Sequence, residues 1–419
     1  MTERLYYADP YCREFDATVR RVDRRDGRTL VALDRTAFYP TSGGQPFDIG
    51  TLEVSQPVAR PFQGREGGAE SPAPHSVVDV FDDDAGTVLH VLDEHQSREL
   101  DPEVGQPVRG TIDWLRRFDH MQQHSGQHVL SAAFDRLSAA RTISFHLGTS
   151  VSTIDLAREL SREEIAAAET EANRVVWEDR PVTIRFVSAQ QAAALPLRKE
   201  TAREGTLRLI DIEGFDLSAC GGTHVARTGA IGVIAIGSVE RFKGGQRVEF
   251  FCGRRALGKF QSMRDALGGA VRLLSVLPEE LPGAIERLQN DARDRQRALT
   301  ALQQDLAGYR ASELAATAEL TAAGHLVLRS ADTDANGLKA LASAIVSRPG
   351  FLVVLVGTAR PALVVVARSK DGSAAANQVV AALTAKFGGR GGGKPDLAQG
   401  GGLDGEPDEI LAAARSLVL

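Results

Sequence analysis

The chain has 419 residues, enough for about three domains at ~150 residues each. Hydrophobic residues make up 43% and charged residues 25%, an ordinary globular balance. The 49 Lys and Arg against 55 Asp and Glu leave a net charge of −6, which excludes a globally basic nucleic-acid footprint and confines any such contact to local patches.

Aromatic residues are only 5%, too few for a platform that stacks bare single strands. Cys12, Cys220 and Cys252 are too few and too odd in number for a disulfide framework, so a reducing compartment is expected. No uninterrupted apolar run reaches the ~18 residues of a membrane span, and MTERLYYADP has no apolar signal core. A cytoplasmic protein without a membrane partner is the expectation.

Segments 14–22, 29–34, 76–81 and 87–92 alternate in polarity and are separated by Gly, Asp and Pro clusters. They predict a small β-barrel over 1–110, with 56–74 as an exposed loop. From 118 to 137 the pattern becomes helical, and 142–154 alternates as a hairpin does. Ser161 with Glu164 forms a capping-box signature ahead of an Ala-rich helix ending near Trp177. Further strands complete an α+β core over 111–254.

Residues 255–323 read as a helical spacer broken near Pro278 and Pro282. Ile285, Leu288, Ala292, Leu299, Leu302, Leu306 and Tyr309 fall on heptad positions, with Arg295 as the polar exception. An intramolecular helix pair is the simple expectation. Pairing between chains is the alternative, which leaves monomer or homodimer open. Residues 324–419 alternate strand and helix as a small α/β domain. Within it, GGRGGGKPDLAQGGG places eight glycines in the fifteen residues 388–402.

The chemistry concentrates in two short motifs. His120 and His124 in HMQQH are one helical turn apart and share a face, as two metal ligands need. Cys220 and His224 lie in CGGTH, where paired glycines permit a tight turn. Together the four make a candidate tetrahedral zinc site, one ion per chain. His128 continues the same helix face and is read as an outer partner rather than a ligand. HMQQH lacks the Glu of the HExxH protease motif.

HMQQHSGQHVLSAAF with DLSACGGTHVARTG resembles the editing domain shared by alanyl-tRNA synthetases, threonyl-tRNA synthetases and free-standing AlaX proteins. LYYADPYCREFDATV and RTAFYPTSGGQPFDIG resemble the opening and the barrel motif of the long AlaX forms. The glycine-rich run resembles the end of the DHH-associated C-terminal domain of alanyl-tRNA synthetases. The resemblance implies an α+β multidomain protein: N-terminal β-barrel, zinc-containing editing core, helical or coiled-coil spacer and C-terminal α/β domain. It implies hydrolysis of mischarged alanine tRNA, with serine as the usual error and glycine as the second candidate. Threonyl substrates stay open. Such editing supplies discrimination that a binding pocket for alanine cannot.

By place in the motif, Thr142 resembles the family threonine that reads the serine hydroxyl, and His146 a polar residue near the reacting ester. Gln45, with Gly43 and Gly44, borders the pocket from the barrel side. A bound zinc either lowers the pKa of a water or holds the substrate amine, and the absence of Asp or Glu from the two motifs leans toward the second. For tRNA, the glycine-rich segment offers backbone amides at Gly391 and Gly392, with Arg390 and Lys394 adding charge. A non-catalytic zinc-containing tRNA-binding module is the competing function.

Overall fold

Alternating side chains in the first hundred residues need a shared interior, and closing the sheet provides it. A computed structural model of the chain describes residues 1–54, 74–93, 102–199 and 205–419. Strands β1 (Glu14–Arg25), β2 (Arg28–Leu33), β3 (Gly50–Val54), β4 (His75–Asp82), β5 (Val88–Leu92) and β6 (Pro107–Ile112) form a closed barrel in the order β1-β2-β5-β4-β3-β6. Phe15, Val19, Val31, Leu33, Leu52, Val80 and Val108 fill it. The segment 56–74, expected as a loop, lies outside the described residues except for Pro74.

The next 140 residues build a second core around one helix. Helix α1 (Trp114–Ser138) is capped by the Asp113 carboxylate, which accepts from the Arg116 amide. Nearly every residue from His120 to Phe134 is buried. One antiparallel sheet packs near it in the order β12 (Ile234–Phe242), β13 (Gly245–Cys252), β8 (Ser152–Leu156), β7 (Thr142–Leu147). A second comprises β9 (Val182–Ser188), β10 (Thr206–Ile212) and β11 (Asp216–Ala219). Helix α2 (Arg162–Trp177) lies against α1, and its Ser161–Glu164 capping box is formed as the sequence predicts.

Barrel and core are joined by a buried ion pair. Arg117, in the first turn of α1, donates through Nε to both carboxylate oxygens of Asp48 at 3.0–3.1 Å. Its other nitrogens donate to the carbonyls of Pro10 and Ala37. Both charged side chains are fully buried, so each depends on the other.

The chain divides into two compact units, Met1–Gly268 and Gly269–Leu419, with the division inside helix α3 (Arg254–Leu274). The helical segment therefore forms no unit of its own. Helix α4 (Leu281–Ala316) buries Ala307 and Ala311 against α5 (Ala335–Val346). The heptad residues behave differently from the expected intramolecular seam. Ile285, Leu288, Leu299, Leu302, Leu306 and Tyr309 are 42–79% exposed.

The second unit holds a six-stranded sheet. Its strands are β14 (Glu319–Thr321), β15 (Gly324–Ala331), β16 (Phe351–Gly357), β17 (Ala362–Arg368), β18 (Arg390–Gly393) and β19 (Leu397–Leu403), in the order β14-β15-β16-β17-β19-β18. Helices α6 (Ala376–Phe387) and α7 (Pro407–Val418) complete it. The glycine-rich run is the β18–β19 hairpin. A Cβ on Gly391 would stand 2.6 Å from Val380 Cγ1 of α6, so glycine is what lets helix and hairpin meet.

No helix among the described residues is long and apolar enough to cross a membrane.

Candidate metal centre

Three histidines and one cysteine converge beside α1. His124, His128, Cys220 and His224 each offer one donor atom, all within 4.8 Å of one another. His124 Nε2 lies 3.3 Å and His224 Nε2 3.4 Å from Cys220 Sγ. Tetrahedral zinc with ordinary Zn–N and Zn–S bonds separates an N donor from an S donor by ~3.5 Å. The donor set and its spacing therefore fit zinc.

His128, not His120, completes this set. Four residues advance a helix by about 40° beyond a full turn, so His120, His124 and His128 fan across ~80° of its surface. Cys220 and His224 meet the fan at its C-terminal half. His120 is buried one turn earlier, and its Nδ1 has no hydrogen-bond partner among the described residues. Burial, reinforced by Arg116 and Arg255, pushes its pKa down to about 3, which keeps it neutral.

Each converging imidazole is held from behind through Nδ1. His124 Nδ1 is 2.8 Å from Gln45 Oε1, His128 Nδ1 is 3.0 Å from Asp216 Oδ2, and His224 Nδ1 is 3.2 Å from Ser125 Oγ. This leaves Nε2 of His124 and His224 facing the thiol. Such outer partners fix ring orientation and ligand basicity in metal sites. Asp216 is itself tied down by Arg198 Nε at 2.6 Å and Ser218 Oγ at 2.9 Å. Burial, the largest influence, would raise the Asp216 carboxyl, but the hydrogen bonds and charges of His128 and Arg198 together outweigh it and bring the pKa to about 2. Burial likewise opposes ionisation of Cys220, yet His124 and His224 draw its thiol well below the ordinary range.

The CGGTH turn is fixed by Arg208, which donates through Nη1 to the carbonyls of Cys220 at 2.8 Å and Gly222 at 2.9 Å. Asp216, Ser125 and Arg208 are absent from the sequence reading. The period-two series Asp216, Ser218, Cys220 was the one available signal, since a strand sends all three to one face.

The other predicted residues separate. Gln45 is fully buried against His124 and the CGGTH turn, behind the donors rather than in front of them. Gly43 and Gly44 form the turn that carries it, both with positive φ. The β7–β8 register slips at Ile143, so Thr142, Phe145 and Leu147 share one face of the sheet. On that face the Phe145 ring lies 5.8 Å from the His124 ring. Thr142 donates to Ser131 Oγ at 2.8 Å, one turn beyond His128. Gln127 donates to the same oxygen, and its own Oε1 is buried without a partner among the described residues. His146 is on the opposite face of β7 and exposed, apart from the His/Cys cluster.

Several arginines of the first unit are spent on carboxylates. Arg198 pairs with Asp216, Arg241 with Glu159, Arg247 with Asp155 and Arg255 with Asp119. Arg390 and Lys394 are exposed on the glycine hairpin. Arg390, Gly391 and Gly392 border a concavity of about 420 Å³ on that sheet. Many of the amides expected to approach phosphate are instead paired in the β18–β19 ladder.

The family described as the threonyl and alanyl tRNA synthetase second additional domain matches residues 207–249. The DHHA1 domain matches residues 322–418. The alanyl-tRNA editing protein AlaX-L of Pyrococcus horikoshii is 28% identical, with 99% of this chain and 98% of that protein covered. The chain matches a large AlaX-type protein end to end. Alanine–tRNA ligases of Pyrococcus abyssi and Natronomonas pharaonis are 33% and 36% identical over 95% and 100% of this chain. The chain spans less than half the length of those ligases, 42% and 44%. A solved C-Ala domain of Aquifex aeolicus alanyl-tRNA synthetase aligns with 24% of this chain at 25% identity and a TM-score of 0.21.

Proposed function

We propose that this chain is a zinc-dependent deacylase that removes serine, and secondarily glycine, from mischarged alanine tRNA in the cytoplasm. The observation that carries the reading is the four-donor cluster with an outer partner behind each imidazole. The end-to-end similarity to an alanyl-tRNA editing protein supports the substrate class.

His124, His128, Cys220 and His224 would hold the metal, which supplies either an activated water or an anchor for the substrate amine. Asp216 stands behind His128 and is engaged by Arg198 and Ser218, so it orients a ligand rather than abstracting a proton from water. The Thr142 hydroxyl, on the same sheet face as Phe145, offers a polar partner to a substrate hydroxyl. Its proton is given to Ser131, so a serine hydroxyl can donate to its remaining lone pairs, whereas alanine offers no such donor. Arg390 and Lys394 give the second unit an exposed cationic edge for the tRNA backbone.

The test is deacylation of Ser-, Gly- and Ala-charged alanine tRNA and Thr-charged threonine tRNA by zinc-loaded protein, with Cys220→Ser as control. The expected result is loss of serine, slower loss of glycine, retention of alanine and threonine, and no turnover by the variant. Tight tRNA binding without turnover would establish the non-catalytic module instead.

A further inference from the structure

We propose that Gln45, reaching out of the barrel, is a positioning residue that decides which nitrogen of His124 faces the metal. The proposal rests on the metal reading above and deepens it.

The hydrogen-bond network leaves one arrangement. The Thr223 backbone N–H lies 3.1 Å from one end of the Gln45 amide, and a peptide N–H only donates. That end is therefore Oε1. The same oxygen lies 2.8 Å from His124 Nδ1, and two acceptors cannot bond to each other. Nδ1 must carry the proton. His124 Nε2 then holds the lone pair, and it is the nitrogen that faces Cys220 Sγ. The other end of the amide, Nε2, donates to Thr223 Oγ1 at 2.9 Å, so all three contacts agree. Turning the amide over would set its NH₂ against the Thr223 N–H, which can only donate. Gln45 is fully buried, so no water is at hand to relieve that mismatch.

The turn that delivers Gln45 is held equally firmly. Ser42 and Gln45 exchange backbone hydrogen bonds at 2.9 and 3.2 Å. The Gly44 carbonyl accepts from the Leu147 amide at 3.0 Å, stitching the turn to β7. A Cβ on Gly44 would stand 2.8 Å from the Phe145 ring. Among the described residues the barrel thus supplies no donor to the cluster, yet the proton of His124 depends on it.

The experiment has two arms on the full-length protein. In the first, long-range ¹H–¹⁵N correlation on metal-free protein reads the His124 tautomer. Nδ1–H is expected, and Nε2–H in the wild type overturns the proposal with no variant needed. In the second, cobalt(II) is titrated against a competing chelator, following the thiolate-to-metal absorption band. Gln45→Ala should bind 10- to 100-fold more weakly, the range seen when an outer partner is lost. Gln45→Glu, which keeps the acceptor, should restore binding. Equal affinity of Gln45→Ala and wild type overturns the proposal. A wild type that takes up no cobalt overturns the metal reading, while the tautomer arm still decides what Gln45 does.

Discussion

Gly222 lies against the His124 ring so closely that a Cβ there would stand 2.1 Å from Cε1 and 2.3 Å from Nδ1. The same Cβ would be 3.0 Å from Gln45 Oε1. No rotamer of a residue at 222 avoids this, because the Cβ position is set by the backbone. Gly222→Ala should therefore drive His124 out of the donor set and leave the barrel and α1 folded. Metal content by elemental analysis should fall from one equivalent toward zero, with the far-ultraviolet circular dichroism unchanged. Full metal loading of the variant would show that the ring has room to move.

The assignment of His128 in place of His120 is separable by two substitutions. His128→Ala removes a donor and should abolish stoichiometric zinc. His120→Ala removes a buried imidazole outside the cluster and should keep one zinc per chain. Its cost should be ~1–3 kcal/mol of stability from the cavity it leaves. Metal content and chemical denaturation of both variants check the pair.

The barrel carries its own pH dependence at His90. Its Nδ1 donates to the Val31 carbonyl at 2.9 Å, so Nε2 accepts from Thr36 Oγ1 at 2.8 Å. Burial pushes its pKa down to about 4. An unfolded histidine takes up its proton near 6.5, so between pH 6.5 and 4 the unfolded state binds the proton and the folded state does not. This stability is complete above pH 6.5 and is lost as pH falls through 4, by up to ~3 kcal/mol. Denaturation midpoints over that range should fall less steeply in His90→Asn than in wild type.

Arg390 and Lys394 are predicted to meet phosphates rather than bases. The double variant Arg390→Ala/Lys394→Ala should weaken binding to alanine tRNA and to unrelated tRNA alike. The slope of log affinity against log salt should drop by about two, one for each lost phosphate contact. Filter binding across a salt series measures it, and metal content should stay at one.

Much of this was legible in the residues. Period-two alternation marked the barrel, and Ser161 with Glu164 marked the start of α2. The CGGTH turn announced two donors. HMQQHSGQH holds two overlapping HxxxH spacings, 120/124 and 124/128, and spacing alone treats them as equals. The choice is made by where Cys220 and His224 arrive, a tertiary fact. The glycine hairpin was hidden for a different reason: a strand built of glycine has no side chains to alternate. The heptad pattern on α4 is real, but a pattern states that a face is apolar and not what covers it. Gln45 reads in the sequence as a pocket border and stands in the structure behind the His124 ring, a difference that closeness in the motif cannot convey.

Arg117 and Asp48 have a consequence for how the molecule can be taken apart. Each is a full charge with no access to water, and each is neutralised by the other across the junction of barrel and core. A fragment cut at residue 113 would remove the partners that the Arg117 side chain has here, Asp48 and the carbonyls of Pro10 and Ala37, and open the buried face between barrel and core. A piece that carries the His/Cys cluster and keeps this contact therefore includes the barrel.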